Sequence, residues 1–152
     1  MKQLTALKKQ AGFTLVELLV VIGILAVLTS IVLVAVNPGR QLAQARDTER
    51  RADVNTILTA TTAYMADPDN NGALPTGLTT LCTAGTQSIG TTGLNLGTTL
   101  APTYVAGIPK DPSSGTDAVT GYVVCIADAT SKRITVSAPL TELATTTISV
   151  TR

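Results

Sequence analysis

Glu17 is the one ionisable side chain in the run FTLVELLVVIGILAVLTSIVLVAV, Phe13 to Val36. A carboxylate at the centre of a membrane-spanning helix costs roughly 2.5–3.5 kcal/mol, and less near its end. Glu17 stands about one turn into the run, so a single chain tolerates it. Burial in a packed, waterless assembly is different: there the charge needs a partner of opposite sign. Cleavage between Gly12 and Phe13 would supply one. The new α-amine of Phe13 lies about one helical turn from Glu17 in the same chain. Between staggered copies, one amine meets the next copy's carboxylate. The chemistry these residues offer is association between chains.

Other reactive groups are few. The chain has no His, which removes the commonest general base and metal ligand. Its two cysteines, Cys82 and Cys125, form no CxxC pair, which argues against zinc or thioredoxin-like chemistry. No nucleophile elbow and no phosphate-cradling glycine loop is present, and the expectation is that the protein is not an enzyme. Charged residues make up 14% of the chain and the net charge is +1. That balance argues against nucleic acid held by bulk electrostatics.

The element that must position Glu17 is a helix. Residues 13–36 as a helix span about 36 Å, enough for a hydrocarbon core of about 30 Å. Lys2, Lys8 and Lys9 precede the run and no acid does. The positive-inside rule therefore keeps the N-terminus cytoplasmic and sends the rest across. A cleaved secretory signal would have a shorter apolar region and a better site than Val34-Ala35-Val36. A plain signal anchor with an incidental Glu17 is the other alternative. Beyond residue 40 the chain is a small, rather polar module of the kind that leans on staples or oligomerisation.

The stretch KKQAGFTLVELLVVIGIL, Lys8 to Leu25, resembles the N-terminal signature of type IV prepilins and type II secretion pseudopilins. That signature is a short basic leader ending in Gly, then Phe-Thr-Leu-(Ile/Val)-Glu and a long apolar helix. The resemblance implies an α+β, pilin-like fold: a long N-terminal helix, apolar then amphipathic, packed on a small antiparallel sheet. Residues 1–12 would be the leader peptide, 13–36 the transmembrane and filament-core helix, 37–66 its amphipathic continuation, and 67–152 the globular head. It implies that a prepilin peptidase cuts between Gly12 and Phe13, that Phe13 is N-methylated, and that Glu17 recognises the neighbouring subunit. The implied partners are further copies in a filament, related minor pilins, the peptidase and an inner-membrane assembly platform. The implied location is a single-pass membrane protein with an extracytoplasmic C-terminal domain, then a surface or periplasmic filament. One departure is visible: where many relatives carry a helix-kinking proline this chain has Val34, and its proline comes at Pro38.

Asn37-Pro38 reads either as a cap opening a second helix or as a kink in one long helix, and the resemblance favours the kink. From Arg40 to Met65 the pattern is amphipathic. Val54, Ile57, Leu58, Thr61, Tyr64 and Met65 form one helical stripe that should pack on the head. RQLAQARDTERRAD, Arg40 to Asp53, reads as a solvated face laced with ion pairs, or as a polar contact between subunits. Asp67 to Gly72 should stop the helix; the segment lacks an EF-hand's register. Residues 76–120, rich in Thr, Gly and Ser, predict irregular structure or a short helix that periodicity does not place.

The stretch Leu100 to Asp128 resembles the pseudopilin pattern of Pro-x-Asp-Pro, a loop, then Gly-Tyr opening a strand. In type II secretion pseudopilins the corresponding loop binds calcium, so Asp111, Ser114 and Asp117 are alternative oxygen ligands. The family's aromatic-Gly-Asn is missing, and the expectation is a turn without metal or other cofactor. Strands are expected at Gly121–Ala127, Arg133–Ala138 and Thr146–Thr151, from β-branched enrichment, with a hairpin loop between the first two. An extracytoplasmic head favours a Cys82–Cys125 disulfide; two free, buried thiols are the alternative. The leading expectation is a structural subunit of a type IV pilus-like filament. A pseudopilin of a secretion or DNA-uptake piston and a membrane-anchored extracytoplasmic binding module are the alternatives.

Overall fold

The computed structural model describes residues 12–152; the expected leader up to Ala11, with Lys2, Lys8 and Lys9, lies outside them. The chain divides into two compact units at Pro38–Gly39. In the first, helix α1 runs Leu15–Val36 and buries none of its residues. Phe13 is 88% exposed and the large aliphatic side chains after it are more than half exposed. Where such a run meets lipid, a helix is the form that satisfies every backbone group within the segment; among the described residues no other element of its unit packs on it. Asn37 leaves the helical region, with φ 45 and ψ 78, and Pro38 opens helix α2, Pro38–Ala66. Proline at the first helical position loses no hydrogen bond, because that N–H has no intrahelical acceptor.

The second unit is built on α2. Val54, Ile57, Leu58 and Thr61 are at most 1% exposed, and Tyr64 and Met65 pack partly buried against the same core, as the 3.6-residue stripe predicts. Asp67 caps a 3₁₀ turn, Pro68–Asn70, and Asn71 turns the chain in the left-handed region at φ 48. Four antiparallel strands come next, in the order β1-β2-β3-β4: β1 Gln87–Ser88, β2 Val123–Asp128, β3 Arg133–Ala138 and β4 Ile148–Thr151. The apolar strip of α2 meets Val124, Ile126, Ile134, Val136, Ala138 and Ile148 of the sheet in one core. This is the α+β arrangement expected from the sequence.

Three strands lie where β-branched enrichment puts them, with later starts for β2 and β4. Gly121 delays β2: it sits at φ 89, and a Cβ there would lie 2.6 Å from Asp111 Cβ. The two-residue strand β1 and the four-residue helix α3, Gly97–Leu100, carry no periodic signal. They belong to the polar 76–120 region, which nonetheless sends Leu78, Ile89, Leu94, Leu96 and Leu100 into the core. Cys82 and Cys125 are disulfide-bonded, closing a sequence separation of 43. Backbone bonds flank the bridge: Cys82 N–H donates to Ile126 O at 2.9 Å and Ile126 N–H to Thr80 O at 2.8 Å. The bridge thus pins the 79–85 segment, which has little apolar surface of its own, to β2.

Candidate functional site

Gly12, Phe13 and Thr14 precede the first turn of α1 and are exposed. Thr14 is the helix N-cap, with φ −80 and ψ 153. Its hydroxyl accepts from Glu17 N–H at 3.2 Å. The Glu17 carboxylate in return accepts from Thr14 N–H at 3.0 Å and from the Thr14 hydroxyl at 2.9 Å. This reciprocal capping box satisfies donors that a helix start leaves without partners. Glu17 therefore has work inside its own chain, tied to the residue next to Phe13. The Thr-x-x-Glu spacing announces that box in the sequence. The carboxylate also stays exposed on the side of the helix, amid apolar surface that is itself exposed.

The second concentration of charge lies in the head, and it corrects a sequence reading. RQLAQARDTERRAD is not wholly a solvated face: Asp47 is 2% exposed and Arg50 fully buried, while Arg40, Gln44, Thr48, Glu49 and Arg51 are exposed. Every donor direction of the Arg50 guanidinium is used. Nε and Nη2 reach the two oxygens of Asp111 at 2.6 and 3.2 Å. Nη1 reaches Asp47 at 2.9 Å and Glu142 at 3.1 Å, and Nη2 also donates to the Ser113 hydroxyl at 2.8 Å. Asp47 accepts three backbone N–H groups, from Glu142, Leu143 and Ala144, at 3.0, 2.8 and 3.0 Å. Arg46 forks onto Glu142, its Nε at 2.6 Å. Two loops far apart in sequence are thereby fastened to one face of α2. Helix periodicity does not find these contacts, because the partners lie 61 to 97 residues away.

Electrostatics follow from this geometry. Burial alone would raise the pKa of Asp47, but the three N–H donors and Arg50 outweigh it and hold the carboxyl well below the usual carboxylate range. Asp111 behaves alike: burial raises it, while Arg50, Ser113 and Ser114 pull it far below its ordinary value. Burial first, then its bond to Asp53, raises the Tyr122 phenol far above the ordinary tyrosine value. Tyr122 donates to the Asp53 carboxylate, so Gly121-Tyr122 also docks on α2.

Of the alternative calcium ligands, Asp111 meets a guanidinium: Arg50 holds both its oxygens, and Ser113 and Ser114 N–H donate to it at 3.0 and 3.1 Å. Asp117 is on the surface, paired with Lys110 at 2.8 Å. Ser114 donates its hydroxyl weakly, at 3.4 Å, to Asp111. The loop is organised by arginine and backbone donors, and among the described residues no group of three or more His, Cys, Asp or Glu is placed to hold a metal ion. Cys82 and Cys125, in their disulfide, stand apart from this network.

A family model described as a prokaryotic N-terminal methylation motif matches residues 7–33. This is the type IV prepilin and pseudopilin signature, and it covers Gly12, Phe13, Glu17 and most of α1. No curated protein and no solved structure gives a match. By length and composition α1 is able to cross a membrane, with a mean hydropathy of 3.1.

Proposed function

We propose that this chain is a structural subunit of a type IV pilus-like filament. In this reading a membrane-embedded prepilin peptidase cuts after Gly12 and the Phe13 amine is N-methylated. An N-methylated amine stays cationic, so it remains a partner for a carboxylate. Helix α1 rests in lipid until assembly, then packs among copies of itself, while the head faces outward. Glu17 exchanges part of its bonding to Thr14 for the amine of a neighbouring subunit, which fixes the stagger between copies. An assembly platform in the inner membrane and related minor subunits would be the further partners. The protein is a substrate of the peptidase, and its own work is association.

One observation carries the reading: α1 exposes all of its apolar side chains, with Glu17 as the single charge among them, directly after Gly12-Phe13 and inside the methylation motif. The test is intact-mass analysis of the mature chain together with imaging of filaments. The mature chain should begin at methylated Phe13. Glu17→Ala should insert normally and give few filaments. A chain that keeps residues 1–12 beside an active peptidase, or normal polymer yield from Glu17→Ala, overturns the proposal.

A pseudopilin role has its own support in Pro109-Lys110-Asp111-Pro112 and Gly121-Tyr122, which resemble the pseudopilin pattern and dock on α2 through Asp111 and Tyr122. Long filaments on the cell surface favour the pilus. Their absence, with secretion or DNA uptake lost on deletion, favours the piston.

A further inference from the structure

Strand β4 forms an edge of the sheet. Arg152 and Ile134 exchange both backbone bonds, at 3.0 and 2.8 Å. Antiparallel alternation then turns Val150 and Ile148 toward β3, and leaves the N–H and C=O groups of Ser149 and Thr151 facing outward. Both residues are exposed, and in the β3–β4 register they sit opposite Ser137 and Thr135, at the positions that do not exchange ladder bonds with β3. The opposite edge is short: β1 has two residues, and the Gln87 side chain already holds Thr79 N–H and Gly77 O.

Beside β4 runs a flank of α2 on which Arg51, Asn55 and Thr59 are exposed at four-residue spacing. A hollow of about 270 Å³ lies between Arg51, Asn55 and residues 144–150. A second, of about 450 Å³, is lined by Thr62, Lys132, Arg133 and Arg152, and Arg152 reaches Thr59 at 3.4 Å between the two. No Asp or Glu lines either hollow. The head's cations divide accordingly. Arg46, Arg50 and Lys110 have carboxylate partners; Arg51 and Arg152 make no salt bridge among the described residues, Lys132 donates to Gly72 O at 2.7 Å, and Arg133 stands opposite Asp128 on β2. From Arg51 to Thr62 the helix rises about 16 Å, the length of about five residues of extended chain.

We propose that the β4 edge takes up an extended, acidic peptide segment of a partner protein as a fifth strand. The segment's backbone pairs with Ser149 and Thr151, and its carboxylates meet Arg51 at one end and Arg152 and Lys132 at the other. The sign of the charge selects this occupant over a second copy. Two β4 edges laid together would bring arginines against arginines, and like charges across a strand pair are destabilising.

The test uses the full chain in detergent micelles and a labelled, end-blocked peptide of about six residues alternating Glu and Val, read by fluorescence anisotropy. The peptide should bind and protect the amides of Ser149 and Thr151 from hydrogen exchange. Replacing its Glu by Gln should weaken binding about tenfold, as should Arg51→Glu or Arg152→Glu. N-methylation of the peptide amides that face β4 should abolish binding, since it removes the pairing donors without touching the protein. Equal affinity for the Gln peptide, unchanged binding of the N-methylated one, or no binding of the parent peptide overturns the proposal. So does self-association of the chain through β4 that the peptide fails to displace.

Discussion

Helix α1 keeps apolar side chains on its surface, and helix α2 keeps a guanidinium in its interior. Each inverts the usual distribution of residues between surface and core, and in each the inversion shows where the partner lies. Arg50 is buried because this chain brings it Asp47, Asp111, Glu142 and Ser113, and the donors and acceptors are matched: among the described residues no buried side-chain N or O is left without a hydrogen bond. Among the described residues the aliphatic side chains of α1 have no such matching surface in their own unit. A charge satisfied within the chain makes a fold; an apolar cylinder unsatisfied within its unit calls for lipid or other copies.

The sharpest way to break this contrast is Arg50→Met in the full chain. Removing one member of a buried ionic network leaves the remaining carboxylates uncompensated and should cost about 3–5 kcal/mol. The three tyrosines, Tyr64, Tyr104 and Tyr122, lie in the second unit, so urea unfolding monitored by tyrosine fluorescence reports on that unit. A loss below about 1 kcal/mol would show that Asp47 and Asp111 are held well enough by backbone donors alone. Next in size is the disulfide: Cys82→Ser with Cys125→Ser should destabilise the head by about 2–4 kcal/mol, because the bridge closes a long loop. Unchanged unfolding in reducing buffer would mean that the 79–85 segment is held by its backbone bonds to β2.

Acid should act on the same network more gradually. Asp47 and Asp111 have folded pKa values well below the ordinary carboxylate range, so folding is favoured by their ionisation. Their contribution is fully present above the unfolded value near about 4 and is lost as pH falls toward the folded values. Head stability should therefore be level above about pH 5 and decline steadily below about pH 4. A stability that rises on acidification would contradict the network. The smallest expected effect completes the comparison. Glu17→Gln should leave head unfolding within about 0.5 kcal/mol of the parent chain, while filament yield falls in the assembly assay. A change in the head as large as that from Arg50→Met would mean that the two helices do not divide their tasks.

Much of the fold is legible because its signals are local. The run from Phe13 to Val36 declares a helix with apolar surface all round, the Val54–Thr61 stripe declares which side of α2 is buried, and the alternation in Arg133–Ala138 declares a half-wet strand. The Thr14-x-x-Glu17 spacing contains the capping box. Residues 76–120 are harder, since single leucines and isoleucines spaced by glycines and threonines have no period. They enter the core one at a time as the loop closes over it. The charged segment of α2 misleads for a related reason. Arg50 and Arg51 are neighbours of identical type; helix phase puts Arg50 in line with Val54 and Ile57, but the Asp111 and Glu142 that make its burial tolerable are supplied from distant loops.

By itself the order of residues determined that one long helix is apolar all round, that a lone acid stands about one turn after Gly12-Phe13, and that β-branched strands close the chain. These are properties of short stretches, set by backbone propensity and periodicity. Which carboxylates surround Arg50, which cysteine meets which segment, and which strand is left with outward-facing amides were decided only by the tertiary structure. Those pairings join residues tens of positions apart, and a charge is stable in the interior only where the folded chain has already assembled its counter-charges.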